Sequence, residues 1–350
     1  MALKFSDGTT KTNVPTQIYP LAGATVAYTA AKGAFGVAAL DLPSNISLNQ
    51  TLGAQYVTLF HNFWFQTPLI GANAITVLQH FDTVGNSIQL QLQISTAGTL
   101  QLFRNATLIA TYATIPFVAN TQYHFEVKTT IDPSSGVCQV RLNGNTTPVI
   151  NFSGNTRNSA NTWTDQTRWG PAGNTTSYHN YYSHISIFDA TGAAPNDWLG
   201  IKRIYTQLPS ADSATGGLNA FATSPSQSSG AHFNNVKETP PDDDTSYNSD
   251  SVTNDRESYR VPGIPSTISN ISVVNAFARM RIDDAGPHTV KIVARNNATD
   301  IEGSAQSLAA GYLYYNEAFP LDPNGSITWT ASGFGTSTNS DAEFGVKVAS

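Results

Sequence analysis

Apolar and polar side chains alternate along most of the chain. Residues 88–94 are the clearest example, because four isoleucines and leucines are separated there by three glutamines. Residues 123–131 repeat the pattern, with Tyr, Phe, Val and Ile set against His, Glu, Lys and Thr. A period of two residues is typical of a β-strand that has one face on a core and the other in water.

Turn signals separate these strands. The segment 132–136 (DPSSG) combines a proline that presets φ with a glycine that tolerates positive φ, and Asn143-Gly144 is typical of a tight hairpin. No amphipathic helix longer than about ten residues is predicted. The predicted strands also include 56–65, 74–81, 138–142, 149–152, 198–208, 271–283, 290–294, 311–319, 326–330 and 343–348. Short strands at such spacing predict an all-β protein built of antiparallel sandwiches.

The domain organisation follows from where the alternation stops. Residues 209–250 are rich in Ser, Gly, Pro and Asp, and two interpretations stay open for them: a linker, or an ordered excursion over the surface. Because 198–208 is itself predicted as a strand, we place the domain change near residue 197. The predicted domains are 1–196, with an N-terminal arm, and 197–350, which contains the irregular excursion 209–250.

Composition and charge exclude several functional classes. Charged residues make up 12% of the chain, about half of the usual ~25%, which suits β-structure and packing against other chains. The net charge is −6 and the 18 lysines and arginines are scattered, so no nucleic-acid partner is expected. The N-terminal residues lack the apolar stretch of a signal peptide, and no apolar run reaches the roughly 20 residues that span a membrane.

Cys138 is the single cysteine of the chain. No intrachain disulfide can form, and no second thiolate is present to share a metal ion. Because it alternates with Val140 and Leu142, we predict that Cys138 is a small buried apolar residue.

A resemblance to a known fold family supports this architecture for the first domain. Residues 123–152 read YHFEVKTTIDPSSGVCQVRLNGNTTPVINF. This stretch resembles the laminin-G-like branch of the concanavalin A-like jelly rolls, in which a Tyr-His-x-Glu strand leads to a strand ending Val-Arg-Leu-Asn-Gly. The resemblance covers roughly residues 15–190. It implies a lectin-like jelly-roll sandwich and does not specify a ligand.

The second half carries a different resemblance. Three segments, 181–212, 237–261 and 342–348, occur in the same order in a group of uncharacterised proteins from the structural modules of tailed bacteriophages and prophages. In those proteins a lectin-like sandwich is likewise joined to this second domain. The resemblance therefore implies a virion component, made in the cytoplasm of the bacterial host. It assigns no catalytic residues.

Enzymatic constellations are not found in the sequence. Retaining glucanases of the concanavalin A-like class present Glu-x-Asp-x-Glu on one strand, which brings two carboxylates to about 5 Å, and this pattern does not occur here. A Gly-x-Ser-x-Gly nucleophile elbow is also missing. We therefore expect a non-enzymatic protein.

Calcium is the one cofactor that the sequence allows. Asp242, Asp243 and Asp244 supply a dense set of oxygen ligands, and lectin-like sandwiches of the laminin-G type often hold Ca²⁺ at a loop edge. The EF-hand glycine and glutamate are missing. A solvated acidic turn that follows Pro240-Pro241 is the alternative interpretation.

A loop-rich aromatic segment, 161–182, is the candidate binding surface. Three interpretations stay open: a subunit interface, core packing or contact with a glycan, since interface hot spots and sugar sites both use aromatic side chains. The candidate residues are Trp163, Arg168, Trp169, Tyr178, Tyr181 and Tyr182.

Three functional hypotheses follow. The first is a virion subunit that decorates the capsid or belongs to the tail and docks to other virion proteins through its sandwich surfaces. By analogy with virion appendages on symmetry axes, it would be a homo-oligomer such as a trimer. The second is a glycan-binding adhesin for the host surface. The third, a polysaccharide depolymerase, is disfavoured because the carboxylate pair is missing.

Overall fold

The chain folds into two compact units, Met1–Tyr205 and Thr206–Ser350. The change falls later than the predicted boundary near residue 197. A computed structural model describes residues 3–7, 27–43, 47–71, 73–114, 116–170, 179–192, 196–215, 218–238, 241–284, 288–335 and 341–350.

The first unit contains fourteen of the described strands and one short 3₁₀ turn, Ala34–Gly36. The strands are β1 (Leu3–Asp7), β2 (Ala27–Thr29), β3 (Ala39–Pro43), β4 (Leu48–Tyr56), β5 (Thr58–Gln66), β6 (Ile75–Asp82), β7 (Ser87–Ile94), β8 (Leu100–Arg104), β9 (Thr107–Tyr112), β10 (Tyr123–Thr130), β11 (Gly136–Leu142), β12 (Ile150–Gly154), β13 (Thr164–Trp169) and β14 (His179–Asp189).

These strands form two antiparallel sheets. The eight-stranded sheet has the order β12-β11-β10-β5-β14-β3-β2, with β1 also paired to β14. The six-stranded sheet has the order β4-β13-β6-β7-β8-β9. The predicted alternation is confirmed in β10 and over residues 90–94 of β7, which belong to opposite sheets. It is wrong for Ile88 and Gln89, because the register shifts at His80–Phe81 and Gln89 is fully buried.

One apolar core lies between the two sheets. Phe63 and Phe125 stack in it with ring centroids 5.1 Å apart, and Leu92 and Cys138 are buried with them. Each fully buried large apolar side chain of this kind contributes about 1.5–3 kcal/mol to folding. The prediction that Cys138 is a buried apolar residue is confirmed.

The segment 196–205, here called the strap, corrects one prediction. The strand expected at 198–208 does not form. The strap packs instead on the outer face of the eight-stranded sheet, where Trp198 meets the ring of Phe60 edge to face at 5.7 Å. Its backbone bonds to side chains, since the N–H of Gly200 donates to Glu126 and Asn62 donates to the Gly200 carbonyl. Its apolar residues serve packing on the sheet and not strand pairing.

The second unit is also all-β among its described residues. Its 3₁₀ turns are His232–Asn235 and Ala331–Gly333. Its strands are β15 (Ala211–Asp212), β16 (Ala222–Ser224), β17 (Tyr247–Ser249), β18 (Arg256–Arg260), β19 (Val274–Met280), β20 (Thr289–Asn296), β21 (Thr299–Glu302), β22 (Gln306–Ser307), β23 (Leu313–Phe319) and β24 (Glu343–Val348).

The main sheet of the second unit has the order β15-β18-β24-β20-β21, with β22 on β20, and β19 pairs with β23 in a separate two-stranded sheet. A small core joins the two sheets around Trp329, with Ile292 from one side and Phe319 from the other. The predicted second antiparallel β-sandwich is thus confirmed. The strand expected at 326–330 is reduced to isolated bridges from Ile327 and Trp329.

The excursion 209–250 is ordered where it is described. It contributes β15 to the main sheet, a β16–β17 pair and the turn His232–Asn235. Of the two interpretations of this segment, the described residues match the ordered excursion.

Candidate functional site

The six-stranded sheet turns every second side chain away from the core. Trp169, Leu78 and Leu92 are cross-strand partners, and all three are buried in the core. Because successive residues of a regular strand point to opposite faces, their neighbours Arg168, Gln79 and Gln91 lie on the outer face of this sheet. Three rows of cross-strand partners define that face, here called the amide face. They are Asn49, Arg168, Gln79, Gln91, Phe103 and Leu108; Thr51, Gln166, Phe81 and Ile88; and Thr76, Gln93, Gln101 and Thr111.

The first row crosses all six strands of the sheet. Neighbouring strands lie about 4.8 Å apart, so five spacings make the row roughly 24 Å long. Its side chains change from amide and guanidinium groups at Asn49 and Arg168 to apolar groups at Phe103 and Leu108. The face is therefore polar on one side and apolar on the other.

Hydrogen bonds between neighbouring strands hold the glutamines in place. The amide of Gln79 donates to Gln91 (3.0 Å), and Gln91 donates to the carbonyl of Asn105 (2.7 Å). Gln93 donates to the hydroxyl of Thr76 (3.3 Å). A primary amide has two N–H donors and an oxygen that accepts twice, so the half-buried Gln91 and Gln93 retain capacity for an external partner.

Arg168 supplies the positive charge of the amide face. Its guanidinium carbon lies 3.2 Å from the centroid of the Phe81 ring, and its Nε donates to Gln166 (2.7 Å). Partial burial lowers the pKa of Arg168, although a guanidinium remains charged at any working pH. The three rows contain no aspartate or glutamate. The group is therefore a fixed cation among neutral amides.

Two of the predicted binding residues belong to the core. Trp169 and Tyr182 are both 0% exposed, and their rings meet at 5.7 Å between the two sheets. The hydroxyl of Tyr182 donates to the carbonyl of Val77 (2.9 Å). The expectation that these two side chains form a binding surface is wrong, because strand alternation turns them inward and no external molecule reaches them.

The other predicted aromatic residues do not converge. Trp163 is half-buried just before β13, and its backbone carbonyl accepts a hydrogen bond from Gln89. Tyr181 lies on β14 of the opposite sheet, beside the ammonium of Lys32 at 5.5 Å. Burial, and then the charge of Asp41, raises the pKa of Tyr181. Tyr178 lies outside the described residues. Of the six candidates, Arg168 is the one that lies on the amide face.

The acidic turn of the second unit is occupied by arginines. Asp243 receives two hydrogen bonds from Arg279, and Asp244 pairs with Arg281 at 2.7 Å. Asp242 accepts from the backbone and hydroxyl of Ser246. Within the described part of the chain, no group of three or more His, Cys, Asp or Glu side chains could hold a metal ion. Calcium binding at this turn stays a prediction, and the ion would have to compete with two arginines.

A second group of titratable side chains serves the fold of the second unit. The carboxylate of Glu257 accepts from the N–H of Phe221 (2.9 Å) and contacts His232 (3.1 Å). The carboxylate of Asp212 accepts from the N–H groups of His232 and Phe233. These bonds fasten the turn His232–Asn235 to β15 and β18. Because the carboxylates are buried and bonded to the chain itself, the cluster offers no open site.

The glutamines of the amide face were not among the predicted site residues. The alternation of glutamine in 88–94 placed Gln91 and Gln93 on one face of a strand, and a polar strand face is usually a solvated one. The sequence contained no signal that β6 and β13 would bring Gln79, Gln166 and Arg168 beside them. A strand order that interleaves residues from 49 to 168 can be read only from the folded sheet.

The chain has been compared with known proteins. No protein-family model matches it, and no curated protein does. It is similar to the solved structure of a cellulose induced protein, Cip1 (14% identity, TM-score 0.43), with 57% of this chain and 100% of that chain covered. It is also similar to Trypanosoma rangeli sialidase, with 15% identity and a TM-score of 0.36 over 53% of this chain and 30% of that chain. A third similar structure is the carbohydrate binding module CBM66 from Bacillus subtilis, with 13% identity and a TM-score of 0.32 over 49% of this chain and 98% of that chain. The chain thus spans less than a third of the sialidase.

Helices that could cross a membrane are not found among the described residues.

Proposed function

We propose that the first unit binds saccharides on the amide face and does so without cleaving them. One observation carries the proposal: the rows of side chains on this face place five glutamines, an asparagine and an arginine beside aromatic and apolar groups on a rigid sheet. Sites built on strands hold side chains more precisely than sites built on loops.

The chemistry of the face suits a polyhydroxylated ligand. Amide groups donate and accept at the same time, which matches a sugar hydroxyl that does both. Gln91 and Gln93 are half-buried, so their remaining donors and acceptors are accessible. Phe103 and Leu108 supply the apolar surface on which the C–H face of a sugar ring can rest.

The proposal is limited to binding because the amide face has no carboxylates. Most glycoside hydrolases use a pair of carboxyl groups about 5–9.5 Å apart that flank the scissile bond. The rows of the amide face contain neither aspartate nor glutamate.

A glycan array read with the full-length chain tests the proposal. The double variant Gln91→Ala/Gln93→Ala removes two accessible amides, and we expect at least a tenfold loss of affinity for the saccharide that binds the wild type, corresponding to about 1.4 kcal/mol. Gln139→Ala is the matched control, because Gln139 also bonds to an amide of the neighbouring strand, at Asn151, but lies on the eight-stranded sheet.

Two results would overturn the proposal. One is the failure of the wild-type chain to bind any saccharide of the array. The other is equal loss of binding in Gln139→Ala and in the double variant, which would place the site elsewhere. Release of reducing sugar from a bound polymer would overturn the restriction to binding.

We also keep the virion location as a proposal. It rests on the sequence resemblance of residues 181–350 to proteins of tailed-phage structural modules, as do the predicted homo-oligomer and the virion partners. On a virion, a saccharide-binding face would attach the particle to host surface glycans. Mass spectrometry of separated phage heads and tails tests the location, and the proposal fails if the chain is missing from infectious particles.

A further inference from the structure

Arg168 has no anionic partner on the amide face. Among the residues that the structure describes, it makes a single side-chain hydrogen bond, to the neutral amide of Gln166, and no ion pair. Two arginines of the second unit differ in this respect, since Arg256 and Arg295 both pair with Asp300. A partly buried cation without a counter-ion loses hydration, and the neutral groups around Arg168 replace it only in part.

The orientation of the guanidinium group is fixed by its contacts. The group stacks on Phe81, and its Nε is used by Gln166. The two terminal nitrogens are the donors that remain. A planar fork of N–H groups held in this way matches a carboxylate, which can accept two parallel hydrogen bonds.

The neighbours of Arg168 strengthen this match. Its cross-strand partners are Asn49 on one side and Gln79 on the other, and both are neutral amides. Neither competes for the cation, and the half-buried Asn49 can bond to a hydroxyl group next to a carboxylate. The first unit therefore offers one positive charge inside a set of groups that suit sugars.

We infer that the ligand of the amide face is an acidic saccharide whose carboxylate binds the terminal guanidinium nitrogens of Arg168. The inference rests on the proposed function and narrows it to uronate-type or sialate-type sugars. Neutral glycans would bind through the amides alone and more weakly.

Paired probes that differ only in charge test the inference. The wild-type chain is titrated with oligogalacturonate, oligomeric alginate, hyaluronan oligosaccharides and sialyllactose, and with the methyl ester of each. We expect at least one acid to bind tenfold or more tightly than its ester. We also expect that preference to weaken as salt is added, because salt screens the interaction between charges.

Substitutions of Arg168 test whether this residue causes the preference for the acid over its ester. Arg168→Gln should reduce the ratio of acid to ester affinity to about one, and Arg168→Lys should retain part of the ratio, since a lysine keeps the charge but not the fork. Arg141→Gln is the matched control. Arg141 stacks on Trp198 at 3.9 Å on the opposite sheet of the same unit.

The outcomes separate this inference from the proposed function. If esters and acids bind equally, the inference fails and saccharide binding stands. If the acid is preferred and Arg168→Gln keeps that preference, the carboxylate site is elsewhere and the inference fails. If no probe and no array glycan binds, both fail. The ratio of acid to ester affinity measured on the wild-type chain shows whether the carboxylate is preferred, even if a variant does not fold.

Discussion

The imidazole rings of His61 and His80 meet edge to face inside the first unit, with centroids 4.8 Å apart. His61 belongs to the eight-stranded sheet and His80 to the six-stranded sheet, so the pair spans the core. Both nitrogens of His61 and the Nε2 of His80 are buried and have no hydrogen-bond partner among the described residues. Burial, together with the charge of His80, lowers the pKa of His61, and burial lowers that of His80 to about 3.

Acid should therefore unfold the first unit. The folded state keeps these histidines neutral, whereas the unfolded chain binds protons below about pH 6.5. The free energy of unfolding that depends on these neutral histidines is therefore at its full value above about pH 6.5, and it decreases as the pH falls toward the pKa values of the folded state. His124 and His184, with pKa values lowered by burial to about 4, act in the same direction. Thermal unfolding followed at a series of pH values measures the effect.

The double variant His61→Phe/His80→Leu should weaken this acid dependence. It removes three unpartnered nitrogen atoms, each of which costs about 1–3 kcal/mol when buried, so the variant should be at least as stable as the wild type at neutral pH. His288→Gln is the control, because His288 is partly exposed and pairs with Asp284 in the second unit. An unchanged acid dependence in the double variant would contradict the prediction.

The second unit should respond to pH in the opposite direction. Burial raises the pKa of Glu257 to about 7, and the nearby charge of Asp212 acts in the same sense, while bonds from Phe221 and His232 act against it. The unfolded chain loses this proton near pH 4.5. The contribution of Glu257 is therefore full below pH 4.5 and is lost as the pH rises through about 7.

Glu257→Gln should flatten this dependence between about pH 5 and pH 7. Hydrogen exchange of peptides from β18 and from 218–236, measured across this range, would report the change. Glu302→Gln is the control, because Lys291 and Lys347 hold the pKa of Glu302 at about 2, well below the window. If the wild-type second unit becomes more stable as the pH rises through this window, the assignment is wrong.

Trp169→Ala should destabilise the first unit by about 3–5 kcal/mol, because it opens a cavity in a packed core. Trp169 is fully buried against His61 and Phe63. Trp163→Ala removes a half-buried tryptophan and should lower the free energy of unfolding clearly less than Trp169→Ala does. Urea unfolding measures the free energy of unfolding of both variants, and equal decreases would argue against the difference in burial between Trp169 and Trp163.

Asn62→Ala should loosen the strap. Asn62 donates to the Gly200 carbonyl (2.8 Å) and contacts the ring of His124 (3.1 Å), so the change leaves two buried groups without a partner. We expect the free energy of unfolding to fall by about 1–3 kcal/mol and the hydrogen exchange of residues 196–205 to become faster. Gln139→Ala, on the same sheet but near its edge, should leave exchange of the strap unchanged.

Cys138 should report unfolding of the first unit. Burial raises the pKa of its thiol to about 12, so almost no thiolate is present in the folded state at neutral pH. A thiol reagent such as a disulfide dye should react only when the sandwich opens, at a rate that rises with urea. Rapid reaction in the absence of urea would contradict the buried position.

Much of the fold could be predicted from local pattern. Alternation in β10, β11 and residues 90–94 of β7 placed the core side chains correctly, since the side-chain period of a strand depends only on its backbone. The same rule failed at 198–208. There, the segment is rich in apolar residues, but its backbone bonds to the side chains of Asn62 and Glu126 and not to another strand.

The binding face was less accessible to prediction. Aromatic density around 161–182 pointed to Trp169 and Tyr182, yet their direction depends on which sheet and register they join. Bulges also shift register, as at His80–Phe81, where Gln89 is left over and becomes fully buried against the loop 158–163. Neither effect can be read from the residues alone.

The sequence by itself determined the all-β class, the two units and the inward direction of most strand residues, because these depend on alternation and turn chemistry within a few residues. Only the tertiary structure decided which strands became neighbours. It placed Asn49, Gln79, Gln91 and Arg168 in one row although they lie far apart in the chain. Strand order depends on long-range pairing that no local pattern encodes, and the candidate site is a product of that order.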